Sequence, residues 1–262
     1  LEQNLRTAKE IELLARLRFI QYQFQQTISK AANITEEMNS ELHVALTSQA
    51  MKDVNDNSGY FAQLTAYNIQ SQYYSIVEDH ENGLFMSRKV FDLCYGHKDL
   101  LRERGRLMIG SANNYMMRCL KSGEHSEIKR VLNLLEKEEP RDRATELILT
   151  ETYLSNLLNY HISTKKNEHN QILALVEERL EGVSEKMNQA FLMYIYTLCS
   201  KYAFYCGDHR KALKWINFYL NHENRNSLRK SLDVAEDYRL IIYYEQNKLD
   251  LLDKILNNPD TN

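Results

Sequence analysis

The sequence predicts an all-α protein built as a stack of about six antiparallel helix pairs, and three observations carry that prediction. The 262 residues include only 8 Gly and 2 Pro, so the punctuation that strands and tight hairpins need is scarce. Apolar residues recur at helical spacing, as in Leu13, Leu17, Ile20, Phe24 and Ile28, then Ile128, Val131, Leu132 and Leu135, then Leu249, Leu252, Ile255 and Leu256. Equivalent positions inside the second helix of successive pairs, Gly83, Ile128, Ile172, Ala212 and Leu252, lie 45, 44, 40 and 40 residues apart. A near-constant period of that size means one supersecondary unit copied along the chain, each copy covering its neighbour's apolar face.

Taken in order, residues 1–57 have room for one divergent helix pair with a break near Asn33. Residues 58–262 supply five further pairs, and the whole is expected to form a single domain. Short polar turns at 55–59, 79–83, 96–99, 121–125, 138–142, 164–170, 182–184, 207–209, 221–226 and 246–248 separate the helices. Asp142, Ser184 and Asp208 each precede an apolar-periodic run and are expected to cap its first turn, because a short polar side chain can accept from the free amides there. Gly105 and Gly110 stand alone within a helical pattern, where glycine is expected to ease close helix packing.

Charge excludes some partner classes. With 33 basic and 36 acidic residues the formal charge is −3, so no overall field draws the chain to nucleic acid or an anionic membrane. The densest basic run, Arg102-Glu103-Arg104-Gly105-Arg106, is interrupted by an acid and is read as a solvated helix face. No apolar run approaches the length of a membrane span. Cys94, Cys119, Cys199 and Cys206 are spaced singly, which favours reduced thiols and a cytoplasmic location. Because the sequence opens at Leu1 without a methionine, it is expected to be part of a longer protein.

The chemistry-bearing patterns are missing. Metal ligation needs paired Cys or His at fixed spacing, and only the isolated pairs Cys94 with His97 and Cys206 with His209 approach it. Neither a Gly-x-Ser-x-Gly elbow nor a phosphate-cradling glycine loop occurs. These absences predict a non-catalytic chain without metal or cofactor. An α/α-toroid enzyme would suit six hairpins numerically, but its acid and base carboxylates need long loops, and the turns here are short.

The motif Gly207-Asp208-His209-Arg210-Lys211-Ala212-Leu213 resembles the turn and small residue of a tetratricopeptide repeat. Gly123 is followed seventeen residues later by Pro140, the spacing of that family's helix-ending proline, and Tyr67 with Tyr74, and Tyr153 with Tyr160, are similar to its aromatic pair. No copy carries the full signature, and the period exceeds the usual 34 residues. The resemblance covers residues 60–256. It implies a right-handed superhelix whose first helices line a concave groove for a protein or peptide ligand, as in a scaffold or receptor domain. A second possibility is the sensor or regulatory domain of a longer signalling or transcription-regulating protein.

Laying the repeat phase over the chain places Asn68, Gln72, Asn113, Met117, Lys121, Tyr194, Lys201, Tyr205, Asp237 and Tyr244 on the groove side. Asparagine offers a paired donor and acceptor for an extended backbone, lysine an acidic group's counterion, and tyrosine a stacking platform. The lysine and asparagine set with which some family members clamp a C-terminal carboxylate is not reproduced. Tyrosine is abundant, with 17 copies, which serves both packing between long helices and contact with a ligand.

Overall fold

The computed structural model describes residues 2–29, 35–97, 105–221 and 229–257. The break near Asn33, residues 98 and 99 of the turn at 96–99, Arg102 to Arg104 of the basic run and residues 222–226 lie outside the described residues. Every regular element among those described is helical. The chain divides into two compact units, 1–127 and 128–262.

The first unit opens with α1 (Glu2–Ser29), α2 (Glu36–Leu46) and the single turn α3 (Gln49–Lys52). The N-terminal segment therefore holds three helices where a pair was expected. The extra element arises because Ser48 restarts a helical turn directly after α2 ends at Thr47. The unit continues with α4 (Tyr60–Ile76), α5 (His80–Gly96) and α6 (Gly105–Ser122). Leu17, Ile20 and Phe24 of α1 bury against Leu42, Met51, Ala62, Ala66 and Ile69. Small residues on α4, Ala62 and Ala66, let α1 approach closely, and α4 packs in turn on α5, and α5 on α6. Phe91 of α5 is buried and stacks on Tyr115 of α6 at 5.5 Å between ring centres.

α7 (His125–Leu135) begins at the end of the first unit and runs into the second. The second unit adds α8 (Arg143–Thr164), α9 (His169–Leu180), α10 (Gln189–Tyr205), α11 (His209–Leu220), α12 (Arg229–Glu245) and α13 (Leu249–Asn257). From α8 to α13 each helix contacts the next in sequence, and α8 also lies against α10. Leu154, Leu158, Val176, Ile195, Cys199, Ala203 and Ile216 form its buried interior.

The repeat turn has a common geometry. Gly207 adopts a left-handed backbone (φ +79°), and the amide of Asp208 then donates to the carbonyl of Ala203 at 2.9 Å, the six-to-one bond that closes a helix end. The Asp208 carboxylate accepts from the amide of Lys211 at 3.0 Å and so caps the next helix. The same turn occurs at Gly123, where the Glu124 amide reaches the Cys119 carbonyl, and at Asn247 (φ +55°), where the Lys248 amide reaches the Tyr243 carbonyl. Glu78 (φ +56°) occupies the equivalent position before Asp79. Two of these four left-handed positions are not glycine, which hides the turn from a search for glycine alone.

The period marks the start of each second helix: Gly83, Ile128, Ile172, Ala212 and Leu252 are each the fourth residue of α5, α7, α9, α11 and α13, although α9 follows a longer link whose left-handed residue is Lys165. Gly83, Ile128 and Ala212 are buried, whereas Ile172 and Leu252 are only partly so, and beside Ile172 it is Leu173 that takes the core position.

Asp142 caps α8 as expected, accepting from Thr145 at 2.8 Å. Ser184 does not cap a long helix. It opens a single 3-10 turn (Ser184–Lys186), and Asn188 caps α10 instead, its side chain accepting from the amides of Ala190 and Phe191. Gly110 does not mark a close helix contact either, because a Cβ there would meet nothing within 4 Å.

Replacing Gly207 with Ala forces an L side chain into the left-handed region and is expected to cost about 1 kcal/mol. Gly207→Asn should cost less, as Asn247 already holds that conformation. Gly96→Ala, at a glycine with open space and no left-handed backbone, should leave stability within about 0.5 kcal/mol. Urea denaturation of the three variants checks the order; equal losses at 207 and 96 would contradict it.

Candidate functional site

In the first unit, α4 and α6 together with Ile28 of α1 form an open cleft of about 470 Å³. From α4 come Ser71, Gln72, Ser75 and Ile76, and from α6 Asn114, Met117, Arg118 and Lys121. On α6 these four positions fall within an arc of about 100° at 100° per residue, so one helix face supplies both cations and the exposed methionine. Arg118 is half-buried, and removal from water pushes its guanidinium below its ordinary value. Among the described residues no carboxylate pairs with Arg118 or Lys121. Two cations one helical turn apart, flanked by the apolar Met117, Ile28 and Ile76, can hold an anionic group that carries apolar atoms beside it.

Gln72, Met117 and Lys121, all expected on the groove side, meet in this cleft. Asn68 shares their helix face one turn earlier, but its amide nitrogen donates to the carbonyl of Leu64 at 2.9 Å. Asn113 does not line the cleft, whereas Asn114 and Arg118 do. The difference is rotational: residue 113 lies about 100° from residue 114 around the helix. The i, i+4 ladder from 113 to 117 to 121 runs along one edge of the face that lines the cleft, and a ladder from 114 to 118 to 121 follows its centre.

In the second unit, Tyr194, Lys201 and Tyr205 lie within an arc of about 40° on α10. Tyr194 is 43% exposed and its hydroxyl accepts from the Asn159 side chain of α8 at 3.2 Å. The ammonium of Lys201 sits 5.7 Å from the centre of the Tyr205 ring, which is 59% exposed. On α12, Asp237 and Tyr244 share a face with the exposed Ile241. The ring of Phe204 packs edge-on to Tyr238 at 5.4 Å, which joins the α10 and α12 faces. This surface offers aromatic planes, one cation and one carboxylate.

Other polar clusters serve the architecture. Cys94 receives the Tyr60 hydroxyl at 3.9 Å, while His97 contacts the Leu93 carbonyl through Nδ1 at 3.1 Å. Cys206 points to the Lys166 carbonyl and His209 packs on Phe204. Among the described residues no three His, Cys, Asp or Glu side chains come together to hold a metal. Beneath the α8 to α9 turn, the buried Tyr202 hydroxyl donates to the Lys166 carbonyl at 2.8 Å and accepts from the Glu168 amide at 3.3 Å. Burial pushes this phenol up to about 12.

No protein-family model matches the chain, and no curated protein or solved structure matches it.

His161 supplies a pH handle on this region. It is 5% exposed, its Nδ1 lacks a hydrogen-bond partner, and Glu168 approaches to 3.6 Å. Burial holds it below the ordinary 6.5, with Lys166 adding to the shift and Glu168 opposing it. The native state therefore keeps His161 neutral while the unfolded chain protonates first. Stability contributed here is intact above pH 6.5 and is lost as pH falls from there through the folded-state value. Replacing His161 with Gln should flatten the fall in Tm between pH 7 and 5; an unchanged slope would remove His161 from the account.

Proposed function

We propose that this chain is a non-catalytic, tetratricopeptide-like interaction module that takes an extended, acidic peptide segment on the first helices of its pairs. The observation that carries the reading is the cleft between α4 and α6, where Arg118 and Lys121 have no carboxylate partner among the described residues and lie beside Met117 and Ile76. Unpaired cations on an apolar floor favour a ligand that brings both a carboxylate and apolar contact, and a peptide with an acidic residue beside an aliphatic one meets that demand. The exposed Tyr194, Tyr205 and Tyr244 extend the reading to the second unit, because tyrosine gives contact area at low entropic cost. Asn68, Asn113 and Asp237 enter as candidates for pairing with the ligand backbone or its polar side chains.

The test is selection of displayed random peptides on the whole chain, followed by anisotropy titration of a selected peptide. Arg118→Ala, Lys121→Ala and Tyr205→Ala should each weaken binding about fivefold or more, corresponding to about 1 kcal/mol. Glu136→Ala and Lys137→Ala, on exposed positions after α7, should leave it unchanged. Equal losses in both sets, or none in the first, would dismiss the reading.

A further inference from the structure

We propose that the outer face of α1 is a self-complementary docking surface for the α1 helix of a second copy of this chain, packed antiparallel. Most helices here bury one apolar stripe and present polar residues to water, but α1 carries two. At 100° per residue, Leu13, Leu17, Ile20 and Phe24 span one arc of about 60° centred on the core. They make up the contact with α2, α3 and α4. Ala8, Ile11, Ala15, Phe19 and Tyr22 span an arc of about 80° on the opposite side. Ile11 is 64% exposed, Phe19 61% and Tyr22 60%. Their spacing of 3, 4, 4 and 3 residues is that of a seam between two packed helices, and water gains nothing from it.

The occupant follows from the order of sizes along the stripe. When two copies run antiparallel about a twofold axis near residues 13 and 14, positions whose numbers add to 27 face each other. Phe19 then meets Ala8 of the other copy. Ile11 falls beside Ala15, so large side chains enter the gaps above small ones on both halves. A parallel pairing sets Phe19 against Phe19 and Ala8 against Ala8, crowding one level and emptying the other. Charge agrees with the antiparallel choice. Glu12 and Arg16 flank one edge of the stripe and form an ion pair within the helix. Across the twofold axis, the Glu12 of one copy comes level with the Arg16 of the other, so the intrahelical pair becomes a four-charge network without a like-charge contact.

Sedimentation equilibrium of the whole chain across the micromolar range tests this. The mass should rise with concentration from 30.9 kDa towards twice that value. Phe19→Glu or Tyr22→Glu should weaken the association about tenfold or more, with the helical circular dichroism signal unchanged. Phe85→Glu, at an exposed aromatic on α5, should not affect it. Glu12→Arg should weaken the dimer and the double change with Arg16→Glu should restore it, since the edge pairing is exchanged rather than removed. A chain that stays at 30.9 kDa throughout, as expected if a different protein or another polypeptide segment covers the stripe, overturns the proposal. So does a dimer indifferent to Phe19→Glu, or a charge double variant no better than Glu12→Arg. Peptide binding at the α4 and α6 cleft is read separately by anisotropy, so neither result decides the other.

Discussion

The chain reversal between paired helices is the constraint on which the rest of the structure depends. A helix with one apolar stripe has no use for that stripe until another helix covers it. In this protein the cover comes from the next helix in sequence. A link of three residues between α4 and α5, α10 and α11, and α12 and α13 must end one helix and start another with its apolar face turned back. One left-handed residue does the first task, because it redirects the next amide onto a free carbonyl of the ending helix. At Asp79 and Asp208 an acidic side chain does the second, by accepting from amides that the new helix leaves open. The Asp208 carboxyl shows the balance of forces: burial pushes its pKa up, yet the Lys211 amide and the nearby Lys211 and His169 hold it below the ordinary range.

How much of this was legible depended on which physical signal each feature leaves in the sequence. The period of 40 to 45 residues and the helical stripes follow from burial, and burial is written in apolar residues that can be counted along the chain. The turns were only half visible. Gly123 and Gly207 announce a left-handed backbone, whereas Glu78 and Asn247 adopt it without announcing it. A different regularity would have found the turn at Glu78, though not the one at Asn247: Asp79-His80, Glu124-His125, Glu168-His169 and Asp208-His209 place an acid and a histidine at the start of α5, α7, α9 and α11. Ser184 does not cap α10 because the 3-10 turn it opens ends at Lys186, and Asn188 stands directly before the helix and accepts from two of its amides. The candidate cleft was legible to within one helical step. Met117 and Lys121 were reached by an i, i+4 ladder, but Arg118 needed the neighbouring helices to show which edge of that ladder faces inward.

Tyrosine shows why composition alone does not separate packing from contact. Tyr115, Tyr202 and Tyr219 are about 1% exposed, and the Tyr202 hydroxyl ties the α8 to α9 turn to α10 through two backbone groups. Tyr205, three residues on, is 59% exposed and stacks under Lys201. Rotation by about 300° around one helix separates a structural phenol from one on the outer face. A long aromatic side chain with a polar tip suits both places, since its ring fills space between helices and its hydroxyl accepts or donates at the boundary.

The same reasoning distinguishes the two sides of α1. An apolar residue exposed singly on a helix is ordinary, because polar atoms are too few to cover a protein surface. Periodicity is what changes its meaning. Ile11, Phe19 and Tyr22 recur with the helical repeat opposite a stripe that is already buried, and α1 is therefore apolar on two faces while one edge between them carries Glu12 and Arg16 in an ion pair. A helix that needed only to cover the core would gain solubility from polar residues on its outer side at no cost to that packing. Their replacement by large apolar groups at regular intervals, with alanines between them at the spacing a facing helix requires, has a physical purpose only when that second face is also covered.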